Sequence, residues 1–322
     1  MSVVMSVYNG ERYLRESLES VLRQSFRDFE FVIIDDGSTD ATPSVLEECE
    51  KSDSRVRVTR QEHAGAAAGL IAGCARSRGR LLARIDADDV ALPTRFEHQV
   101  AFLDAHPEVG VLGTRIEIID ERGRVLRTTD PPRVHALAAT RLLFWPPVAH
   151  PSVMMRRALL EEVGGYDVGF EYAEDYELWT RLVEVTRFAN LPLALLRYRV
   201  HDGMVTRRER SPMLETTDRV RRRFLARLLG RELSREQRDW LVRFERGSSR
   251  LQEPKARVAI ELLFELYEAM LERGILRQGE AAELRGDLER RVAAADRRTA
   301  GRALRLRRRL WQWATDRMDR RG

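Results

Sequence analysis

Leu81-Leu82-Ala83-Arg84-Ile85-Asp86-Ala87-Asp88-Asp89 decides how this chain folds. A short apolar run drives straight into acid. Runs of that length, without polar alternation, read as strands buried on both faces. Upstream, Phe31-Val32-Ile33-Ile34 ends just as abruptly in Asp35-Asp36-Gly37-Ser38-Thr39-Asp40. Further out, Val3–Val7 is broken by Tyr8-Asn9-Gly10, and Val56–Thr59 supplies a third short strand. Helical spacing fills the gaps. Leu14, Leu18, Val21 and Leu22 make one stripe, Pro43 sits where a first helical turn tolerates it, and small residues run from about Gly65 to Ala75. Thr94-Arg95-Phe96-Glu97 reads as a capping box opening the next helix. Strand–helix alternation predicts an α/β fold, with a mostly parallel sheet flanked by helices. Ligands of such sheets bind beyond the carboxyl ends of the strands, where both acidic turns fall.

Downstream the pattern changes. Residues 109–127 read as strands around a turn at Glu121-Arg122-Gly123-Arg124, and 145–201 as loops, a strand and a helix. Beyond about 205 strand signals vanish, and Ile260, Leu263, Phe264, Tyr267 and Leu271 mark a helical stripe. The expected division is a catalytic domain over 1–204 and a basic helical region over 205–322. The net charge of +5 hides an asymmetry. Residues 205–322 carry 31 Lys/Arg against 19 Asp/Glu, and 1–204 carry 25 against 32. Residues 302–321 hold eight arginines beside Leu306, Leu310, Trp311 and Trp313. A basic amphipathic helix with tryptophans can lie in a membrane interface; packing on the protein's own body or on a second subunit is the other reading. No apolar run reaches the ~18 residues of a membrane span, and no secretory signal is visible. Two cysteines cannot form a disulfide framework, so the expected setting is cytoplasmic, with peripheral contact at the membrane's inner face.

Three places carry candidate chemistry. Alternate carboxylates Asp86 and Asp88 at a strand end can converge on Mg²⁺ or Mn²⁺, which favour oxygen ligands; surface acidic turns without metal are also common. Asp35–Asp40 reads either as a polar turn capping the following helix or as a carboxylate meeting a pyrimidine N–H. Glu174-Asp175 opens a helix marked by Tyr176, Leu178, Trp179 and Leu182. Acid there is ordinary capping, yet the helix dipole would also hold Asp175 ionised and able to accept a proton.

In this order the pieces resemble the family-2 glycosyltransferases of the GT-A, Rossmann-like fold. The matching segments are 3–10, 31–40, 83–89, His150-Pro151-Ser152, Gly164-Gly165-Tyr166-Asp167, 173–179 and Tyr198-Arg199-Val200-His201. The resemblance spans about residues 1–205. It implies an inverting transferase moving a sugar from a nucleotide sugar, UDP- or dTDP-linked in preference, to a hydroxyl of a glycan or lipid-linked glycan. It implies that Tyr8 and Asn9 lie along the nucleotide, that Asp36 faces the base, and that Asp86 sits near ribose and metal. Asp88 would bind Mn²⁺ or Mg²⁺, and Asp175 would be the catalytic base. His201 would approach the diphosphate or metal, or else be a solvent-exposed loop histidine. His150 reads as structural, and Trp179 as core. Two departures touch donor binding: Ile71 and His63 stand where relatives often carry Asn.

Two other classes compete with this reading. A nucleotide-sugar pyrophosphorylase wants a Gly-rich, basic loop after the first strand, which Tyr8-Asn9-Gly10-Glu11 is not. A non-catalytic binder of nucleotide sugars, nucleic acid or another anionic surface is disfavoured by three retained acidic sites. No nucleic-acid motif or aromatic–basic interleaving is present.

Overall fold

In the computed structural model the structure describes residues 1–204, 209–245, 253–280, 283, 284, 286 and 287. The arginine-rich segment 302–321 lies outside the described residues. The chain divides into two compact units, residues 1–138 with 146–218, and 139–145 with 219–322.

The strands are β1 (Ser2–Val7), β2 (Glu30–Asp35), β3 (Val56–Arg60), β4 (Leu81–Arg84), β5 (Val90–Ala91), β6 (Val109–Ile119), β7 (Val125–Thr128), β8 (Met154–Arg156) and β9 (Arg187–Arg199). They form one sheet in the order β3-β2-β1-β4-β8-β6-β9-β5, with β7 against β6. From β3 to β4 every pairing is parallel. The sheet then turns mixed: β8 is antiparallel to β4 and β6, β9 is parallel to β6, and β5 is antiparallel to β9. Apolar runs announce a buried strand but carry no direction, so this mixed half was not legible. β1 is central because Val3, Val4, Met5 and Val7 are apolar on both faces, each 3% exposed or less.

Three helices follow the first strands, α1 (Glu11–Leu22), α2 (Thr42–Ser52) and α3 (Ala66–Arg76). α1 buries Leu14, Leu18 and Val21 of the expected stripe, and Leu22 is only partly buried. α3 lies close against β1, which explains its small residues. A Cβ added at Gly73 would stand 2.6 Å from Val4 Cγ1. Before α4 (Arg95–Ala105) the expected capping box does not form. Thr94 occupies the cap position without a side-chain bond, and Glu97 accepts instead from Ser25 Oγ at 2.7 Å. Glu97 finds a partner across the fold, so it does not reach back.

Three shorter helices follow, α5 (His135–Arg141), α6 (Arg157–Glu162) and α7 (Glu174–Leu182). The second unit contains most of α8 (Arg210–Leu229) and all of α9 (Arg235–Glu245) and α10 (Glu253–Glu272). Ile260, Leu263, Phe264 and Tyr267 are buried along α10, while Leu271 is only partly so. Residues 139–145 belong here through Arg221, which donates to Phe144 O at 3.0 Å and lies over Trp145. Among the described residues no helix is long and apolar enough to cross a membrane.

The tight seat of α3 is testable. Gly73→Val should cost about 1–3 kcal/mol through overpacking and lower the thermal midpoint. An unchanged midpoint would show that α3 does not need this approach.

Candidate active site

Strand register assembles the site. Val7 pairs with Asp35 and Val4 with Arg84, so both acidic turns leave the sheet beside Tyr8-Asn9. The loops are stitched together. Asn9 N donates to Ser38 Oγ at 3.0 Å, Thr39 N donates to Asn9 Oδ1 at 2.8 Å, and Ser17 Oγ donates to Asp86 O at 2.9 Å. Asn9 has φ 51°, a left-handed conformation that Asn tolerates.

Asp86, Asp88 and Asp89 each bring one carboxylate oxygen within 4.8 Å of the others. Arg84 grips Asp86 through two nitrogens, Nη1 donating at 2.6 Å. Burial pushes Asp86 up to about 6; Arg84 pulls against that shift and the Asp88 charge adds to it. Asp89 is 1% exposed and raised well above the usual carboxylate range, by burial first and then by Asp88 and Asp86. Its Oδ1 accepts from Arg199 N at 2.9 Å, and among the described residues its buried Oδ2 has no hydrogen-bond partner. These hard oxygen donors, one of them unsatisfied, fit a Mg²⁺ or Mn²⁺ ion.

The antiparallel pair Val90↔Arg197 brings the end of β9 back along this turn. His201 Nε2 lies 2.9 Å from Asp88 Oδ2. Its side chain is 13% exposed, so the solvent-exposed alternative is overturned. Arg199 clamps the turn. Nε donates to Asp88 O at 3.0 Å, Nη2 donates to Glu16 at 2.5 Å, and the guanidinium lies over the Tyr13 ring.

Glu174 and Asp175 open α7 (Glu174–Leu182). The helix is seated by buried Tyr176, Leu178, Trp179 and Leu182. Trp179 is fully buried core, as its place on the stripe predicts. Arg181 ties α7 to Gly165 O at 2.7 Å. Gly164 and Gly165 have φ +84° and +76°, a turn that L side chains resist. That turn delivers Tyr166, whose hydroxyl lies 2.8 Å from His150 Nε2. His150 is buried, edge-on to Trp179, and held well below its usual pKa by burial. Its surroundings are those of a core histidine.

Asp175 Oδ1 accepts from Tyr176 N at 2.6 Å. Burial raises Asp175; that bond and Arg84 pull it down. Burial lifts Glu174 to about 7, with the Asp175 charge next. Asp86, Glu174 and Asp175 therefore all feel the one guanidinium of Arg84. Tyr172, just before the pair, has φ +69°, backbone strain of a kind that gathers at functional sites.

At the other end Asp36 is 1% exposed. It accepts from Gln61 Nε2, Ala64 N and Gly65 N at 2.6, 3.0 and 2.9 Å. His63 Nδ1 lies 2.9 Å from its Oδ2. The His63 ring stacks on Tyr8 at 3.9 Å, and Tyr8 is 47% exposed. Ile71, on α3, is 37% exposed. A Cβ on Gly65 would stand 3.3 Å from Glu171 Oε1, so the 61–65 loop meets the loop leading to Asp175.

Sequence reasoning gave no role to Arg84 or Arg199 and noted His63 only as a departure. A cation two residues before Asp86, inside an apolar strand, was a usable signal for Arg84. His63 and Asp36 are 27 positions apart, and no periodicity links them.

Comparison with known proteins agrees with this geometry. The model of "Glycosyl transferase family 2" matches residues 2–164. The chain is similar to an uncharacterized glycosyltransferase of Haemophilus influenzae, 32% identical over 232 residues, which are 69% of this chain and 72% of that protein. It is also similar to the O-antigen biosynthesis glycosyltransferase WbnJ of Escherichia coli, 31% identical over 206 residues, 63% of this chain and 80% of that one. The S. aureus TarS 1–349 structure in complex with UDP-GlcNAc shares the fold, with a TM-score of 0.58 at 21% identity, covering 92% of this chain and 88% of that one. This chain spans 53% of the longer TarS chain. A family match over half the chain, joined to a 32%-identical glycosyltransferase covered over 72% of its length, makes this chain a member of glycosyl transferase family 2.

Proposed function

We propose that the chain transfers a sugar, with inversion, from a nucleoside-diphosphate sugar to an acceptor hydroxyl. One observation carries this reading. A candidate base, Asp175, and a candidate cation cluster, Asp86-Asp88-Asp89, lie within electrostatic reach of the same arginine, Arg84.

Tyr8 and Asn9 would line the nucleotide and Asp36 would stand at the base end, with Asp86 beside the ribose. Asp88 and His201, with Asp86 and Asp89 adjacent, would hold Mn²⁺ or Mg²⁺. When bound, that cation would neutralise charge on the diphosphate. Asp175 takes the proton from the acceptor hydroxyl while the hydroxyl oxygen attacks the anomeric carbon. The bond to the diphosphate breaks on the opposite face, and the nucleoside diphosphate leaves with the electron pair. Positioning by the stitched loops supplies much of the acceleration. A UDP- or dTDP-sugar is the favoured donor. TarS has been solved with UDP-GlcNAc, and WbnJ is named for O-antigen synthesis. The first supports a UDP-sugar donor, and the second a surface-polysaccharide setting with a glycan or lipid-linked acceptor. We place catalysis in residues 1–204. The basic stretch 302–321 would rest on anionic lipid, near such an acceptor.

Asp175→Asn should lower turnover at least ~100-fold in a radiolabelled-sugar transfer assay with a donor panel. Near-normal transfer would reject the role. The wild-type pH profile is a second check. A base works only when deprotonated, and burial raises Asp175. Activity should therefore fall as pH drops, with a midpoint above the ordinary aspartate value of about 3.9. A rate that stays level down to about pH 4 would contradict a buried carboxylate base.

A further inference from the structure

We propose that the tip of the β6–β7 hairpin, residues 122–127, is a docking surface for an anionic phospholipid bilayer. This rests on the reading above in which the acceptor is lipid-linked.

Arg122-Gly123-Arg124-Val125-Leu126-Arg127 holds three cations and no acid. The body that carries it is the opposite, since residues 1–204 hold 25 Lys/Arg against 32 Asp/Glu. The acids beside the tip are already engaged. Asp120 accepts from Arg122 N and Arg124 N, both at 2.9 Å, and from Arg124 Nε at 2.7 Å. Glu121 accepts from Arg12 Nη2 at 2.6 Å. Arg122 and Arg127 are exposed, and among the described residues neither guanidinium has a carboxylate partner. A local excess of positive charge on an acidic body selects an anionic partner and fixes which way the protein faces it.

β7 is exposed along its whole length and pairs only with β6. Val125 is 49% exposed and Leu126 58%. Apolar residues scattered singly on a surface need no explanation. Here two stand in succession on an edge strand, with arginines before and after them. In a bilayer interface such aliphatic groups enter the acyl boundary while the guanidinium groups stay among the headgroups. A chain adding a strand to this edge is the competing occupant. The β6–β7 register breaks at Leu126, since Ile118 pairs with Arg127 and Ile119 with Val125. A bulge twists an edge away from further pairing, so the side chains make the contact.

The root of the hairpin is fastened to the candidate site. Arg199 Nη1 donates to the main-chain oxygens of Asp120 and Glu121 at 3.5 and 3.4 Å, while its Nε donates to Asp88 O at 3.0 Å. Val200 N, one residue before His201, donates to Ile119 O at 2.8 Å. A bilayer held by the tip lies beside the acidic turn, where a hydroxyl carried on a lipid has to arrive.

The test is flotation of the full chain with vesicles of phosphatidylcholine alone or mixed equally with phosphatidylglycerol. The wild type should bind the mixed vesicles at least ~10-fold more tightly. Val125→Ser with Leu126→Ser, and Arg122→Gln with Arg127→Gln, should each lose about 5-fold or more. A polarity-sensitive fluorophore on Leu126→Cys should shift to the blue on mixed vesicles, with the unsubstituted chain giving the background from Cys49 and Cys74. Equal binding to the two vesicles, undiminished binding of both variants, or an unmoved probe each overturns this inference alone. So does a dimer in solution that Leu126→Ser dissolves, which would give the surface to a second copy. Calorimetry with UDP, dTDP and GDP in Mn²⁺ separates the two readings. Both variants should bind nucleotide as the wild type does, and wild-type binding of none of the three overturns the transferase reading and this inference with it.

Discussion

Like charge packed into one end of a sheet is the constraint on which this molecule turns. Asp86, Asp88 and Asp89 leave β4 together, and Glu174 and Asp175 meet them from α7. Removing carboxylates from water and setting them side by side disfavours the charged form. The protein offsets this with Arg84 among the acids and with N–H groups from Arg199 and Tyr176. The remaining imbalance shows as raised protonation: Asp86 at about 6, Glu174 at about 7, and Asp89 higher than its usual range. A bound divalent cation would complete the neutralisation that Arg84 begins.

The scaffold exists to hold those groups still. β1, buried on both faces, fixes the register of β2 and β4, and that register alone puts Tyr8, Asp36 and Asp86 at one edge. β9 returns through its pairing with β5 to bring Arg199 and His201 to the same turn. α7 is anchored by Trp179 and by Arg181 on the double-glycine turn. Each candidate group thus stands at the end of a regular element, where its position is set by the core rather than by a loose loop.

Legibility from sequence followed periodicity and failed where it stops. Runs such as Phe31–Ile34 and Leu81–Ile85 declared buried strands, and the small residues of α3 declared a close approach that Gly73 makes concrete. Strand direction was invisible, because a three-residue strand such as β8 pairs either way by the same apolar pattern. The acidic turns were legible because polar residues at strand ends need a reason. Their counter-charges were not. Arg199 is 2% exposed and meets Asp88 across 111 positions, and Glu97 abandoned its local cap for Ser25 at the same kind of distance. Contacts made by the finished fold, between residues far apart in the chain, leave no local signature.

The acidic end of the sheet is the proposed cation and diphosphate site. Anomalous scattering from crystals grown with UDP and Mn²⁺ tests it most directly. The expected result is a manganese peak within ~2.5 Å of an Asp88 carboxylate oxygen, with the diphosphate beside it. UDP bound with no manganese at that turn, or manganese bound elsewhere, would contradict it.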